Sequence, residues 1–429
     1  MIAMVNERRY NEKNVHVFSY GDKGFIYDVP TNTLYKVSSE VAKKVFRIQC
    51  DTYDVFKTIM EEKLHDKKET APVHNCWWEN KEISKIVLNV TSRCNLRCKY
   101  CYANYGSFSE YPVHDMSADE IKGYIKRLID VGVRHIGTIQ FFGGEPLLGI
   151  EAIIAACEFI NSLHKEGKID SIPKYTMITN CIPNNDLINS TLKKYDIRLT
   201  VSIDGPKEIH DFQRVFPNGE GTYDILCANM KKLKSQIDAL EVTYSKNHIE
   251  NEISIDDLKC NLNKQFDIPK TNILVMPVTG SFDLGIPIDF RIEDFQDNSF
   301  TVEDTYVISA FCREYQSDLF CNAGYTSLCI MPNGDLYPCH LYAMDRKYYL
   351  GNMKEDFSLP NYEQKLNNLP LGNKKNHIDC CSCWARKICH FCPAKICVSE
   401  KTEKDLISKP VCESRRNMIE KKIIEAIYY

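Results

Sequence analysis

No run of 18 or more apolar residues interrupts the 429-residue sequence, so no segment reads as a membrane-spanning helix. The N-terminal stretch, MIAMVNERRYNEKN, lacks the apolar core of a secretory signal. Charge of one sign is scarce: 54 basic side chains stand against 58 acidic ones, a net of −4, which excludes the basic footprint of a nucleic-acid-binding surface. Internal repeats and low-complexity tracts are missing as well. What remains is a composition of 44% hydrophobic and 26% charged residues, that of a globular protein. The expectation is a soluble cytoplasmic protein with neither nucleic acid nor membrane among its partners. Its length predicts two or three domains.

Cysteine is the residue in excess, with 20 in the chain. In a secreted protein that number would suggest disulfides. In a large chain without an export signal it implies metal or cluster ligation. Cys50, Cys76, Cys157, Cys181, Cys227, Cys260 and Cys312 are scattered, mostly in apolar or helical surroundings. Three others fall within residues 94–101 and ten between 321 and 412.

Residues 14–37 alternate apolar and polar side chains around the turn signals GDKG and PTNT, which predicts two or three antiparallel strands. Residues 38–64 have helical spacing, with Ser38 or Ser39 as the cap. This small β+α unit, winged-helix-like in pattern, is expected over 1–75 and ends in the polar stretch 65–75. From residue 83 strands alternate with helices. The strand candidates are 85–90, 136–142, 174–179, 197–203, 240–245 and 272–278, with a helix over 117–132 among the connections. Such alternation predicts an α/β fold, parallel strands with crossover helices, open or closed into a barrel. Residues 279–300 read as an irregular connection, and a charged helix ends the Cys-rich block at 410–429.

Cys94, Cys98 and Cys101 lie just past the first of these strands, in TSRCNLRCKYCY. Three thiolates on one short loop can hold three irons of a [4Fe–4S] cube and leave the fourth open to inner-sphere chemistry. The alternative is structural zinc, which usually takes four paired ligands, and no fourth Cys or His lies nearby. CNLRCKYCY resembles the signature of the radical S-adenosylmethionine (SAM) superfamily, and the resemblance runs from about residue 83 to the C-terminus. It implies a partial (β/α)6 TIM-like barrel over 83–310, with SAM bound at the open iron and cleaved reductively to a 5′-deoxyadenosyl radical. It places Tyr100 against the adenine and Gly143, Gly144 and Glu145, at the end of the second strand, around the SAM ammonium. Thr179 and Asn180, Ser202 and Asp204, and Arg214 match positions near the SAM ribose and carboxylate. For Ser202, Asp204 and Arg214 a structural role such as helix capping is the alternative. Cys181 stands where the family often has glycine.

In the last block, Cys321 and Cys339 bracket an expected hairpin with NGD as its turn, and Cys329 reads as a buried strand residue. The order of Cys380, Cys381, Cys383, Cys389, Cys392, Cys397 and Cys412 resembles the SPASM extension, expected over 311–429, which implies two auxiliary [4Fe–4S] clusters and three in all. By that resemblance the nearer cluster takes Cys321 and Cys339 plus a later thiol, and the farther takes Cys380, Cys383, Cys389 and Cys412. The spacing departs from the family pattern, so Cys392 and Cys397 compete for one place and Cys381 could replace Cys380. A zinc ribbon is the alternative for the whole block.

The N-terminal unit resembles domains that recognise the leader of a ribosomally made precursor peptide. An open sheet edge can capture an extended peptide as an added strand. The combined layout resembles maturases that join a peptide cysteine sulfur to carbon (sactipeptide and ranthipeptide types), with a flavodoxin- or ferredoxin-type electron donor. The other readings are a carbon–carbon crosslinking maturase, an anaerobic sulfatase maturase and a non-catalytic iron–sulfur or zinc protein. Sulfatase maturases commonly have an acidic residue where this chain has His340.

Overall fold

The computed structural model describes residues 15–29, 33–40, 42, 76–108, 112–278, 318–355, 357–369, 373–390, 392–394 and 409–428. The chain divides into two compact units. The larger is Asn75–Ser299 with Asn322–Asn368; the smaller is Met1–His74, Phe300–Cys321 and Leu369–Tyr429.

The larger unit is built on one mostly parallel sheet. Strands β4 (Glu82–Thr91), β5 (His135–Gly143), β6 (Lys174–Thr179), β7 (Arg198–Ser202), β8 (Ile237–Tyr244) and β9 (Ile273–Pro277) lie side by side in chain order and all run parallel. That is the strand order of a (β/α)6 partial barrel, and every expected strand is present within a few residues of its predicted bounds. β4 carries Ile86, Val87, Leu88 and Val90 in near-continuous succession, all almost fully buried, the pattern of a strand covered on both faces. The helix expected over 117–132 runs Ala118–Asp130. Ser117 caps it, accepting from the Glu120 N–H while Glu120 reaches back to the Ser117 N–H. Its Ile121, Tyr124, Ile125, Leu128 and Ile129 recur at helical spacing and are buried together. By length and composition Pro146–Lys165 could cross a membrane, but 61% of that window is buried inside the molecule, as in a core helix.

The sheet does not stop at β4. β10 (Ser327–Ile330) pairs parallel to it, with Cys329 opposite Val87, and β11 (Asp335–Tyr337) and β12 (Gly351–Asn352) follow antiparallel. The NGD hairpin is therefore present, with Gly334 at φ +91°, and it also extends the barrel sheet, which its local sequence did not announce. Trp77 and Trp78 lie edge-on to Tyr362, with ring centroids 5.6 and 5.9 Å apart, and the Tyr362 hydroxyl donates to the Gly324 carbonyl at 2.7 Å. Aromatic packing of this kind fastens the C-terminal part of the unit to the start of β4.

In the smaller unit β1 (Val15–Tyr20), β2 (Lys23–Asp28) and β3 (Thr33–Ser38) form the expected antiparallel sheet. Phe18, Phe25, Tyr27 and Val29 share one core with Trp384, Ala385 and Ile388 and with Ile419 and Ile423 of the C-terminal helix (Lys409–Tyr428). His16 stacks on Trp384 with centroids 3.8 Å apart and bonds Glu420 at 2.8 Å. The sheet and the Cys-rich region, expected as separate domains, thus share a core. Most of the 38–64 helix and the 279–300 connection lie outside the described residues.

Candidate iron–sulfur and cofactor site

The residues singled out in the sequence gather beyond the carboxyl ends of β4 to β7, where parallel α/β sheets place their ligands. The cysteine loop leaves β4 at Thr91, whose hydroxyl donates to Asp115. It is then held by backbone from both sides. Arg97 N–H donates to the Val215 carbonyl at 2.7 Å and Lys99 N–H to the Gln213 carbonyl at 2.9 Å. Opposite, Gly144 N–H donates to the Thr91 carbonyl at 3.0 Å and Glu145 N–H to that of Arg93 at 2.8 Å. These contacts explain the glycine pair. A Cβ on Gly144 would sit 2.3 Å from the Arg93 carbonyl oxygen, and one on Gly143 would sit 2.5 Å from that of Thr91. Both obstacles are backbone, so the cysteine loop can approach only because side chains are missing there.

The three thiols face one another closely enough to interact electrostatically. Burial pushes the Cys94 thiol up to about 12 and the Cys98 thiol up to about 11. Donors are nevertheless aimed at sulfur: Leu96 N–H at Cys94 (3.4 Å), Tyr105 N–H at Cys101 (3.2 Å) and the Asn180 amide at Cys94 (3.9 Å). A neutral buried thiol needs no such donors, whereas an iron-bound thiolate does, and they help set a cluster's potential. The loop fits a cluster held through three thiolates. Among the described residues no three Cys, His or carboxylate groups close on a single ion; a four-iron cube takes each thiolate on a different iron and asks for no such convergence.

Glu145 is 1% exposed. Its carboxylate accepts from the Thr179 hydroxyl (2.7 Å), the Asn180 N–H (2.7 Å) and the Leu147 N–H (3.0 Å). Burial outweighs these bonds and raises its carboxyl to about 7. Cys181 follows with φ +57°, the left-handed backbone that favours glycine. Its carbonyl is held by the Asn229 amide at 3.0 Å. The family's usual glycine thus answers a conformation that this chain adopts at the strain of a side chain.

Asp204, fully buried, is a hub under the loop. Its carboxylate accepts from the Tyr100 hydroxyl (2.6 Å), the Gln213 amide (3.1 Å) and the Thr243 N–H (3.1 Å). Its N–H donates to His210 Nδ1 at 3.3 Å, and His248 Nε2 donates to its carbonyl at 2.6 Å. These bonds fix both tautomers: His210 has Nε2 left to donate to Thr222 at 2.9 Å. Burial, with the Arg214 charge added, lowers His210 to about 3, so it stays neutral. Arg214, buried, donates to the Tyr100 oxygen at 2.6 Å. Ser202 ends β7, half-buried.

Tyr102 and His340 lie near one another beside this loop. Tyr102 is 37% exposed yet ringed by Glu241, Cys101, Cys339 and Cys329. The His340 ring lies 4.7 Å from Phe142 and 6.4 Å from Tyr102, centroid to centroid. Cys339, next in chain to His340, therefore belongs to the same neighbourhood as Cys101. Cys329 is fully buried on β10, as expected.

In the smaller unit Cys380, Cys383, Cys389 and Cys412 interact electrostatically as one group. Cys381 points its thiol at the Lys375 carbonyl, 3.2 Å away. Cys321 is exposed and Cys392 half-buried. Cys397 lies outside the described residues.

The Radical SAM superfamily model matches residues 88–255, and that of SPASM, an iron–sulfur cluster-binding domain, matches residues 321–384. The chain carries a radical SAM domain and, C-terminal to it, a SPASM domain. This radical SAM chain is 25% identical over 399 residues to the radical SAM cyclopropyl synthase TigE of Paramaledivibacter caminithermalis, covering 86% of this chain and 76% of that one. It is 25% identical over 367 residues to a cysteine-type anaerobic sulfatase-maturating enzyme of Clostridium perfringens, covering 79% and 95%. Other curated relatives are spanned over only about half their length, 46% of one and 41% of another. The solved structure of native anSMEcpe with bound AdoMet shares the fold, with a TM-score of 0.62 at 19% identity over 80% of this chain and all of that one.

Sequence reasoning missed several residues that build this radical SAM site, among them Asp115, His210, Gln213 and His248. Nothing in their local spacing marks them, because the partner of both histidines is the backbone of a turn that only the fold brings near.

Proposed function

We propose that this chain is a cytoplasmic peptide maturase that cleaves SAM reductively and joins a cysteine sulfur of a ribosomally made peptide to a carbon of another residue. The observation that carries this reading is the gathering, at one end of the sheet, of three thiols with donors on sulfur and a buried Glu145, with Tyr102, His340 and Cys339 beside them. When bound, the cluster and SAM supply one-electron, hydrogen-abstracting chemistry. Glu145 would meet the SAM ammonium, Arg214 and Asn180 its polar groups, and Tyr100 the adenine. The peptide would bind alongside Tyr102 and His340, and holding both partners there turns a rare encounter into a unimolecular event.

Cys321 and Cys339, with Cys392 or Cys397, would hold the nearer auxiliary cluster and leave a corner for a substrate thiol. Cys380, Cys383, Cys389 and Cys412 would hold the farther one. An edge of the N-terminal sheet would take the precursor leader as an added strand, and a flavodoxin- or ferredoxin-type protein would supply electrons.

A second reading, carbon–carbon bond formation, is favoured by the similarity to a cyclopropyl synthase over 86% of the chain. A sulfatase-maturase reading has the similarity over 79% of the chain in its favour and His340, in place of an acid, against it. Anaerobic incubation with a cysteine-bearing precursor peptide, SAM and dithionite separates them. A product two hydrogens lighter with its thiol blocked supports the thioether. The same mass loss with the thiol still open to alkylation supports carbon–carbon closure, and a hydrazide-reactive carbonyl supports formylglycine. Intact SAM sinks all three and leaves a non-catalytic metal protein.

A further inference from the structure

A buried lysine interacts with the cysteines of the smaller unit. Lys374 is 1% exposed, and its ammonium donates to the Arg386 carbonyl at 2.6 Å. Arg386 sits midway between Cys383 and Cys389, in a loop that turns on itself: Arg386 N–H donates to the Cys383 carbonyl at 3.2 Å and Cys389 N–H to the Ala385 carbonyl at 2.7 Å. The ammonium is thus seated inside the span joining two of the proposed ligands, and it interacts electrostatically with Cys389, Cys380 and Cys383. Its other side lies over the Phe320 ring, 5.8 Å from the centroid. The nearby Asp318, fully buried, pairs with Lys375 at 3.1 Å and with Arg386 at 3.1 Å. Those four groups together carry net positive charge. From the C-terminal helix Arg415 and Arg416 act on Cys389, and Arg416 and the opposing Asp379 act on Cys412.

A lysine at such a depth is costly to bury unless something nearby is negative. Against the cost of that burial, Cys389, the Asp318 carboxylate, Cys380 and Cys383 all favour the charged ammonium. Asp318 supplies part of that negative charge but is shared with Lys375 and Arg386. Four thiolates around an iron–sulfur cube would supply more, and their charge grows by one when the cube takes an electron. In a poorly screened interior a fixed cation stabilises the more negative state.

We propose that Lys374, together with Arg415 and Arg416, is a redox-tuning residue that raises the reduction potential of the cluster held by Cys380, Cys383, Cys389 and Cys412. This rests on the assignment of an auxiliary cluster to those cysteines. It makes that cluster a ready acceptor of electrons, and it gives the buried lysine a role that packing alone does not.

The test is an EPR-monitored redox titration of the full chain, reconstituted anaerobically, in a C94A/C98A/C101A background that removes the SAM-cluster signal. Cys389→Ala first identifies the signal: iron per chain falls and one spectral component disappears. If iron and spectra stay unchanged, the cluster assignment fails, and the tuning role with it. With the signal identified, Lys374→Met shifts its midpoint to more negative potential, Lys374→Arg leaves it near the parent value, and the nearer cluster's midpoint stays put. Should Lys374→Met fail to hold iron, Arg415→Gln and Arg416→Gln, on partly exposed side chains, carry the same test with smaller negative shifts. A midpoint that stays in place or rises in these variants, while the cluster is retained, overturns the tuning role and leaves the assignment standing.

Discussion

The hydroxyl of Tyr100 donates to the carboxylate of Asp204 across 2.6 Å. A residue of the cysteine loop is thereby tied to the turn after β7. The same oxygen accepts from Arg214, so one phenol joins a buried anion and a buried cation beneath the proposed cluster. Burial raises the phenol well above its usual range, so it stays protonated and able to donate to Asp204.

Tyr100→Phe keeps the ring and removes both bonds. Each charged partner then loses a neutral hydrogen-bonding neighbour in a dry site, at a cost of about 2–4 kcal/mol in stability. Denaturant unfolding of the reconstituted protein measures it. A loss under about 0.5 kcal/mol, the size of an ordinary surface substitution, contradicts the bridging role.

Gly144→Ala is expected to empty the first cluster site. The added carbon meets the Arg93 carbonyl at 2.3 Å and the Cys94 nitrogen at 3.0 Å, and neither can move without shifting the cysteine loop. Iron per chain should fall by roughly four, and SAM cleavage should vanish with it. Full iron content in this variant would show that the loop does not depend on that close approach.

Cys181→Gly should be tolerated and Cys181→Val should not. Glycine relieves a left-handed strain of about 1–2 kcal/mol and leaves a small void of about 1 kcal/mol, so the two nearly cancel. Valine adds a branched side chain where φ is +57° and the thiol is fully buried. Equal unfolding midpoints for the two variants would refute this account of the departure from glycine.

The parts legible in the sequence were those whose chemistry is local. The parallel strands showed in their apolar runs, the helix at Ala118–Asp130 in its Ser117–Glu120 capping box, and the cluster loop in the spacing of Cys94, Cys98 and Cys101. What stayed hidden depends on pairing across long chain separations. β10 reads as one arm of a local hairpin, and nothing in it shows that Ser327 meets Lys85 on the barrel sheet. Asp204 resembled a cofactor contact, yet its buried carboxylate is committed to Tyr100, Gln213 and Thr243. The sharing of a core between Phe25 and Ile419 spans almost the whole chain and leaves no trace in either local sequence.

That shared core makes a prediction of its own. Phe25→Ala should destabilise the smaller unit by about 3–5 kcal/mol. Because Cys383 and Cys389 pack against the same cluster, iron should be lost from the far site while SAM cleavage at the first loop persists. Retention of all iron in a protein unfolded over the N-terminal sheet would separate the two.

Glu145 links cofactor binding to pH. Its folded carboxyl, at about 7, lies above the ordinary carboxyl value of 4.5. The stability it contributes is therefore present below about pH 4.5 and is lost as pH rises through about 7. An ammonium placed against it favours the ionised form, so SAM binding near pH 6 should release a proton. Calorimetry in buffers of different ionisation heat reads that release, and Glu145→Gln should abolish it. Identical binding enthalpies in every buffer for the parent protein would exclude an ammonium at this carboxyl.

The most direct measurement is the fate of SAM with anaerobically reconstituted protein and dithionite. The account predicts 5′-deoxyadenosine from the parent chain, and none from Cys98→Ala although the auxiliary iron remains. Undiminished SAM in the parent, with zinc or no metal on Cys94, Cys98 and Cys101, would contradict it.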